Sequence, residues 1–295
     1  MKFAFLIFIT SISLFADQYS KIALRDAWTF DYEVRKVPAT GLLRHKSERP
    51  SEHIFFEDPT PMPKKFHLSQ LAELSPIMNQ GNCGSCVYNS VIKNLEDSLR
   101  IKGVKVDRLS RQFVMDCGSG WSCNGSYFSK VAESLKVLGG TPLESDYPYK
   151  AKNQTCSKEK PNHVGIVGWK IINNSPKSII EALNAGYPVS VTVAANGSWA
   201  SYKSGVYNAC NSSSTNHEIL LVGYDCETSV DKDNNCKFDA NGKLPNGVGI
   251  WYVHNSWGEN WGEKGTMRSK MTSRKGSKCN ALAGEAGILE TVVLD

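Results

Sequence analysis

The stretch Gln80-Gly81-Asn82-Cys83-Gly84-Ser85-Cys86 decides how this chain is read. Beyond it, Val87, Val91, Leu95 and Leu99 recur every fourth residue, which predicts an amphipathic helix from Cys86 to about Lys102. Gly103 is its natural stop. Cys86 therefore opens a helix, where free N–H groups and partial positive charge favour a thiolate over a thiol. A thiolate is the nucleophile that acyl transfer uses. Cys83 and Cys86 also form a Cys-x-x-Cys, the spacing of a redox pair or of half a zinc site, so this stretch alone leaves three chemistries open.

Two downstream stretches narrow the choice. Asn216-His217-Glu218-Ile219-Leu220-Leu221-Val222-Gly223-Tyr224 sets a histidine at the mouth of an apolar strand. Asn255-Ser256-Trp257-Gly258-Glu259-Asn260-Trp261-Gly262 sets an amide and two tryptophans just after another strand. With these segments the chain resembles the papain family of cysteine peptidases, over roughly residues 63 to 295. The family's mark is a Cys-Gly-Ser/Ala-Cys run with His and Asn ~130–150 residues downstream. His217 fits that interval, and Asn255 falls later, with the polar segment 225–247 lying between as an insert.

The resemblance implies an α+β, papain-like two-lobe fold: a helical left lobe, an antiparallel β-sheet right lobe and the active site in the cleft between them. It implies that Cys86 attacks the peptide carbonyl, His217 shuttles the proton, Asn255 holds the imidazole and Trp257 shields that bond from water. Gln80, six residues before Cys86, takes the position of the family's side-chain oxyanion donor, and the Cys86 N–H would be the second donor. Gly125, Ser126, Tyr127, Asn216 and Glu218 fall at substrate-binding positions. No cofactor and no metal are implied. Retention of nucleophile, base, amide and Gln80 together favours an enzyme over a papain-fold protein that binds peptides without cleaving them.

The chain has nine cysteines, and an odd count in an exported protein leaves one over, either a reactive thiol or a buried free thiol or intermolecular bridge, so position decides. Family pairing implies Cys83–Cys123, Cys117–Cys156 and Cys210–Cys279. Cys226 and Cys236 then remain inside the insert as a fourth bridge, and Cys86 is left single.

Four departures from the family pattern stand out. Val87 replaces the aromatic residue after the nucleophile, and Ser126 replaces the second glycine of a pair. Glu218 replaces a small residue on the wall of the pocket for the second residue before the scissile bond. A carboxylate there predicts a preference for Arg or Lys, unless Glu218 points outward or pairs with a lysine such as Lys203. Asp231-Lys232-Asp233-Asn234-Asn235 resembles the start of a calcium loop, but Cys236 and Gly242 stand where glycine and glutamate are needed, so a solvated, disulfide-closed loop is favoured.

At the N-terminus, Met1-Lys2 and the apolar run Phe3–Phe15 read as a signal peptide over 1–16, too short for a membrane span. Residues 17–62 end in alternating prolines and read as a short propeptide or extension. The peptidase domain occupies 63–295. Helical patterns at Ser110–Met115 and Ser126–Leu138 precede strand patterns at Val164–Ile172, Pro188–Val193, Glu218–Tyr224 and Gly249–His254. A net charge of +5, with scattered basic residues, gives no nucleic-acid footprint. The expected partners are peptide or protein substrates and the chain's own N-terminal segment as inhibitor. The expected state is a monomer, off the membrane once the signal is removed. The expected location is secreted, or periplasmic or lysosomal-type according to host, and the expected mode is endopeptidase.

Overall fold

The computed structural model describes residues 61–118, 123–157, 164–195, 198–208, 215–245, 249–271 and 285–293. Helix α1 (Cys86–Ile101) stands between two hydrophobic cores. Its apolar stripe, Val87, Val91, Leu95 and Leu99, is at most 1% exposed and faces α2 (Arg111–Cys117) and α3 (Phe128–Val137). The opposite stripe is polar but not solvated, which differs from the usual amphipathic surface helix. Asn94 Nδ2 donates to the Pro188 carbonyl (3.0 Å), and Ser90 Oγ donates to Ser190 Oγ (2.9 Å) and the Ile219 carbonyl (3.1 Å). Lys93 and Asp97 pair at 3.1 Å with both side chains buried. Burying polar groups costs free energy unless each finds a partner, so this stripe is hydrogen-bonded across the seam between the lobes.

The second lobe is an eight-stranded sheet. Its strands are β1 (Lys65–His67), β2 (Val164–Ile172), β3 (Val189–Val193), β4 (Val206–Tyr207), β5 (His217–Asp225), β6 (Ile250–His254), β7 (Thr266–Lys270) and β8 (Ala286–Val293). The order is β2-β8-β3-β5-β6-β7-β4, with β1 paired to β5. Pairings are antiparallel apart from β4–β7. Central β5 is apolar over Ile219–Val222 because both faces are covered, and its first eight residues are all buried. Val164, Ile166 and Leu289, at one end of the β2–β8 ladder, pack into the helical core, so two strands reach into the left lobe.

The four expected strands form with bounds shifted by a residue or less. Helix α4 (Pro176–Asn184), β1, β4, β7 and β8 are additional. Helix α4 carries a legible start: Ser175 Oγ accepts from Ser178 N (3.2 Å) and Pro176 opens the first turn. Helix α3 begins two residues later than expected, at Phe128, because Tyr127 is extended and caps it.

Disulfides join Cys83–Cys123, Cys117–Cys156 and Cys226–Cys236. Cys210 and Cys279 lie outside the described residues. In the insert, Asp231 Oδ1 accepts from the N–H groups of Asp233 (2.9 Å) and Asn235 (2.8 Å). Asp239 Oδ1 does the same for Asn241 (2.8 Å) and Lys243 (2.9 Å). The alternating acidic and amide residues thus form side-chain-stapled turns. The insert also holds residues 62–64: Cys236 N donates to Met62 O (2.8 Å) and Cys226 N to Lys64 O (2.7 Å). Among the described residues no helix is long and apolar enough to cross a membrane.

Candidate active site

Cys86 is the first residue of α1 and His217 the first of β5, so both sit where an element starts at the seam between the cores. Among the described residues Cys86 is the free cysteine. Its loop is held close: Gly84 N donates to the Cys123 carbonyl (2.9 Å), beside the Cys83–Cys123 bond. A Cβ at position 84 would collide with that carbonyl, so only glycine fits.

His217 is 4% exposed, and its Nε2 lies 2.7 Å from Asn255 Oδ1. Asn255 Oδ1 also accepts from Ser256 N (2.8 Å), which assigns the oxygen to this side of the amide. An oxygen there makes Nε2 the protonated nitrogen and leaves the Nδ1 lone pair free to act as a base. The Trp257 ring lies over the imidazole, with centroids 4.7 Å apart. Its neighbours hold the loop, since Asn255 N donates to Gly265 O (3.0 Å) and Gly258 N to Met78 O (3.0 Å).

Gln80 is buried and clasped by Ser256: Gln80 N donates to Ser256 O (2.8 Å), and Ser256 Oγ donates to Gln80 Oε1 (2.7 Å). One amide N–H of Gln80 goes to the Cys83 carbonyl (2.9 Å), and the other remains as a donor. The structure thus brings Gln80, Cys86, His217, Asn255 and Trp257 to one end of the interlobe seam.

The other sequence-derived positions divide. Gly125 takes φ +101°, a backbone conformation that suits glycine, and Ser126 is buried with the Tyr88 phenol beside it. Tyr127 caps the start of α3 in extended conformation. Asn216 is exposed, and its Oδ1 accepts from Ala195 N (2.8 Å), tying the entry of β5 to the end of β3. Glu218 neither points outward nor reaches Lys203; its side chain turns in toward α1 and is 1% exposed. Ser90 is the polar group beside it, yet neither carboxyl oxygen makes a well-formed hydrogen bond. Burial, with Glu285 adding its charge, holds Glu218 well above the usual carboxylate range.

Burial also sets the state of Cys86 and His217. It pushes the thiol up to about 12, with the Glu218 carboxylate as the next cause, and outweighs the backbone N–H groups of Glu218, Val87 and Cys86. It lowers the imidazole to about 4, against the pull of Asn255. The helix-terminus argument for a standing thiolate is therefore overridden by desolvation, and the substrate-free groups are a thiol and a neutral imidazole.

The sequence reading missed Ser256, which grips Gln80 from two residues before the first glycine of its motif, and Arg111 and Tyr149, which brace the Cys86 loop from behind. Tyr149 stood in view as part of Tyr147-Pro148-Tyr149, but nothing local to it indicates contact with Gln80.

Residues 62–286 match the family described as papain family cysteine protease. The senescence-specific cysteine protease SAG12 of Arabidopsis thaliana is 32% identical over 66% of this chain and 53% of that protein. Vignain of Vigna mungo is 33% identical over 87% of this chain and 68% of that protein. The chain thus spans about half the length of the first of these relatives and two thirds of the second. Bromelain of Ananas comosus, solved with the E64 inhibitor, superposes with TM-score 0.64 at 28% identity, covering 77% of this chain and 99% of that one. On fold, on match length and on these relatives, the chain belongs to the papain family of cysteine proteases.

Proposed function

We propose that this protein hydrolyses peptide bonds through a thioester on Cys86. The carrying observation is the 2.7 Å contact between His217 Nε2 and Asn255 Oδ1, which leaves Nδ1 as a base at the start of β5, across the seam from the free thiol. As the carbonyl arrives, Cys86 loses its proton to His217 Nδ1 and its sulfur bonds the carbonyl carbon. The oxygen takes the π electrons and is met by the remaining Gln80 N–H and the Cys86 N–H. The tetrahedral adduct collapses, the C–N bond breaks, and His217 gives its proton to the departing amine. Water then attacks the thioester, with His217 taking and returning a proton, and the acid product leaves.

Endopeptidase mode is supported by the position of the insert. It leaves β5 at Asp225, and a nine-residue strand separates that end from His217 by roughly 26 Å. The insert grips residues 62–64 there, far from the catalytic end, which also supports a domain that begins near residue 63 behind a removable leader and propeptide. A preference for Arg or Lys two residues before the scissile bond is supported by Glu218 and Glu285, two carboxyl groups near one another in a desolvated place. A cation entering there would favour the charged form of Glu218 and pair with it.

Incubation of the mature protein with an E64-type epoxide, followed by mass mapping, is expected to modify Cys86 alone and stoichiometrically, with the rate lost in His217→Ala. Labelling no faster than a free thiol would overturn the peptidase reading. A cleavage profile on a peptide library is expected to show internal cuts and a basic preference at the second position. Equal cutting after Leu and Arg there would remove the specificity claim alone.

A further inference from the structure

We infer that Arg111 is a positioning residue that orients the peptide plane carrying the Cys86 N–H and the backbone from which the Gln80 side-chain donor projects. This rests on the assignment of Gln80 and the Cys86 N–H as those donors. Arg111 is 4% exposed, at the start of α2, behind the Cys86 loop. Its Nη1 donates to Asn89 Oδ1 (2.6 Å), its Nη2 donates to the Asn79 carbonyl (3.2 Å), and its guanidinium lies 3.9 Å over the Tyr149 ring. From these contacts two paths run to the donors.

The first path goes through Asn89. With its oxygen on Arg111, Asn89 points Nδ2 at Ser85 and donates to the Ser85 carbonyl (2.8 Å) and to Ser85 Oγ (3.0 Å). The Ser85 carbonyl shares its peptide plane with the Cys86 N–H, so fixing the oxygen fixes the direction of that N–H. Without the guanidinium, the Asn89 amide loses the charged donor that sets which end faces Ser85.

The second path holds Gln80. The Asn79 carbonyl, taken by Arg111, shares a plane with Gln80 N, which donates to Ser256 O (2.8 Å). On the other side of Gln80, its carbonyl accepts from Tyr149 Oη (2.8 Å), while Gly81 N donates to Asn79 Oδ1 (3.0 Å). Both planes that flank the Gln80 Cα are thus held at two points each, which fixes its φ and ψ and the direction of its side chain. Tyr149 Oη also lies 2.6 Å from Ser85 Oγ, and this closes a ring of Arg111, Asn89, Ser85 and Tyr149. A guanidinium is suited to this place: it is planar, always charged, donates in two directions at once and stacks on an aromatic face.

The test separates oxyanion stabilisation from nucleophilicity. A peptide aldehyde adds to the thiol and places an oxygen between the donors, whereas iodoacetamide alkylates the thiol and needs no oxyanion site. In Arg111→Gln, kcat is expected to fall ~10–100-fold, less than the ~10²–10³ of losing a donor outright. Aldehyde affinity should fall by a similar factor, with KM and the iodoacetamide rate within about twofold. Arg111→Lys, which keeps charge but not the two-directional fork, should recover only part of the loss. If Arg111→Gln does not fold, Tyr149→Phe removes the hydroxyl from Gln80 and Ser85 while leaving the ring, and is expected to show the same split at smaller size. A loss of kcat with unchanged aldehyde affinity, or equal losses in the aldehyde and alkylation measurements, would overturn the inference. A wild-type protein that bound no aldehyde and cleaved no peptide would instead overturn the donor assignment itself.

Discussion

On the α1 side of the cleft, Arg111, Asn89, Ser85 and Tyr149 hand hydrogen bonds from one to the next until the Gln80 and Cys86 backbone is held from several directions. On the β5 side, Glu218 lies next to His217 with both carboxyl oxygens buried and without a well-formed hydrogen bond. The first arrangement is what positioning needs, since a donor that wanders by an ångström loses most of its effect on a developing charge. The second stores unfavourable free energy in the substrate-free protein, which a cation in the cleft would relieve. One wall is built to stay still, and on the proposed basic preference the other would respond.

The sharpest way to break this comparison is to remove the proposed reacting groups that both walls would serve. Cys86→Ala and His217→Ala are each expected to lower kcat by ~10⁵–10⁶, and the double variant should be little worse, because the two act as a unit. A double variant that multiplied the single losses would mean that they act separately. Next in size is Gln80→Ala, with a loss of ~10²–10³ in kcat and an unchanged rate of alkylation at Cys86. A parallel drop in alkylation would show that Gln80 supports the nucleophile rather than the oxyanion.

Much of the still wall was legible in the sequence, and little of the responsive one. The Cys86 helix follows from Val87, Val91, Leu95, Leu99 and Gly103, and Gln80 stands in a short motif, as do His217 and Asn255 on the β5 side. Arg111 and Tyr149 were not legible as partners of that loop, because each reaches it across more than twenty residues of chain and their own neighbours only indicate a capped helix and a turn. The same reason hides the sheet order: β2 pairs with β8, with the whole right lobe between them in sequence. Glu218 was visible as a departure, but its direction was not. Alternation along β5 gives two faces, and with both faces of that strand buried, only the packing of α1 decides which receives the carboxyl.

The acid limb of activity tests the desolvated state of the dyad. With the imidazole lowered to about 4, His217 can accept the thiol proton at any pH above that value and fails below it. The kcat/KM profile is expected to be flat from about pH 5 through neutrality and to fall tenfold per unit below about 4. An acid inflection near 6.5, the ordinary histidine value, would place His217 in contact with water.

The smallest effect concerns the responsive wall at rest. Glu218 has a folded-state value raised above its unfolded one, so its contribution to stability is complete below about 4.5 and is lost as pH rises through the folded value. Glu218→Gln removes the titration while keeping the shape. The variant should melt close to the parent at pH 4 and several degrees above it at pH 8, with the difference growing through the interval. Glu285, whose charge faces the same carboxyl, contributes to that slope, so Glu285→Gln should recover part of it. If the proposed basic preference holds, the gain in stability should come with a lower Arg-to-Leu preference at the second substrate position, by about tenfold, because the group whose burial is unfavourable in the empty cleft would be the one that receives the cation. A variant that gained stability and kept its preference would separate the two, and Glu218 would then be only an unfavourable acid in the seam between the lobes.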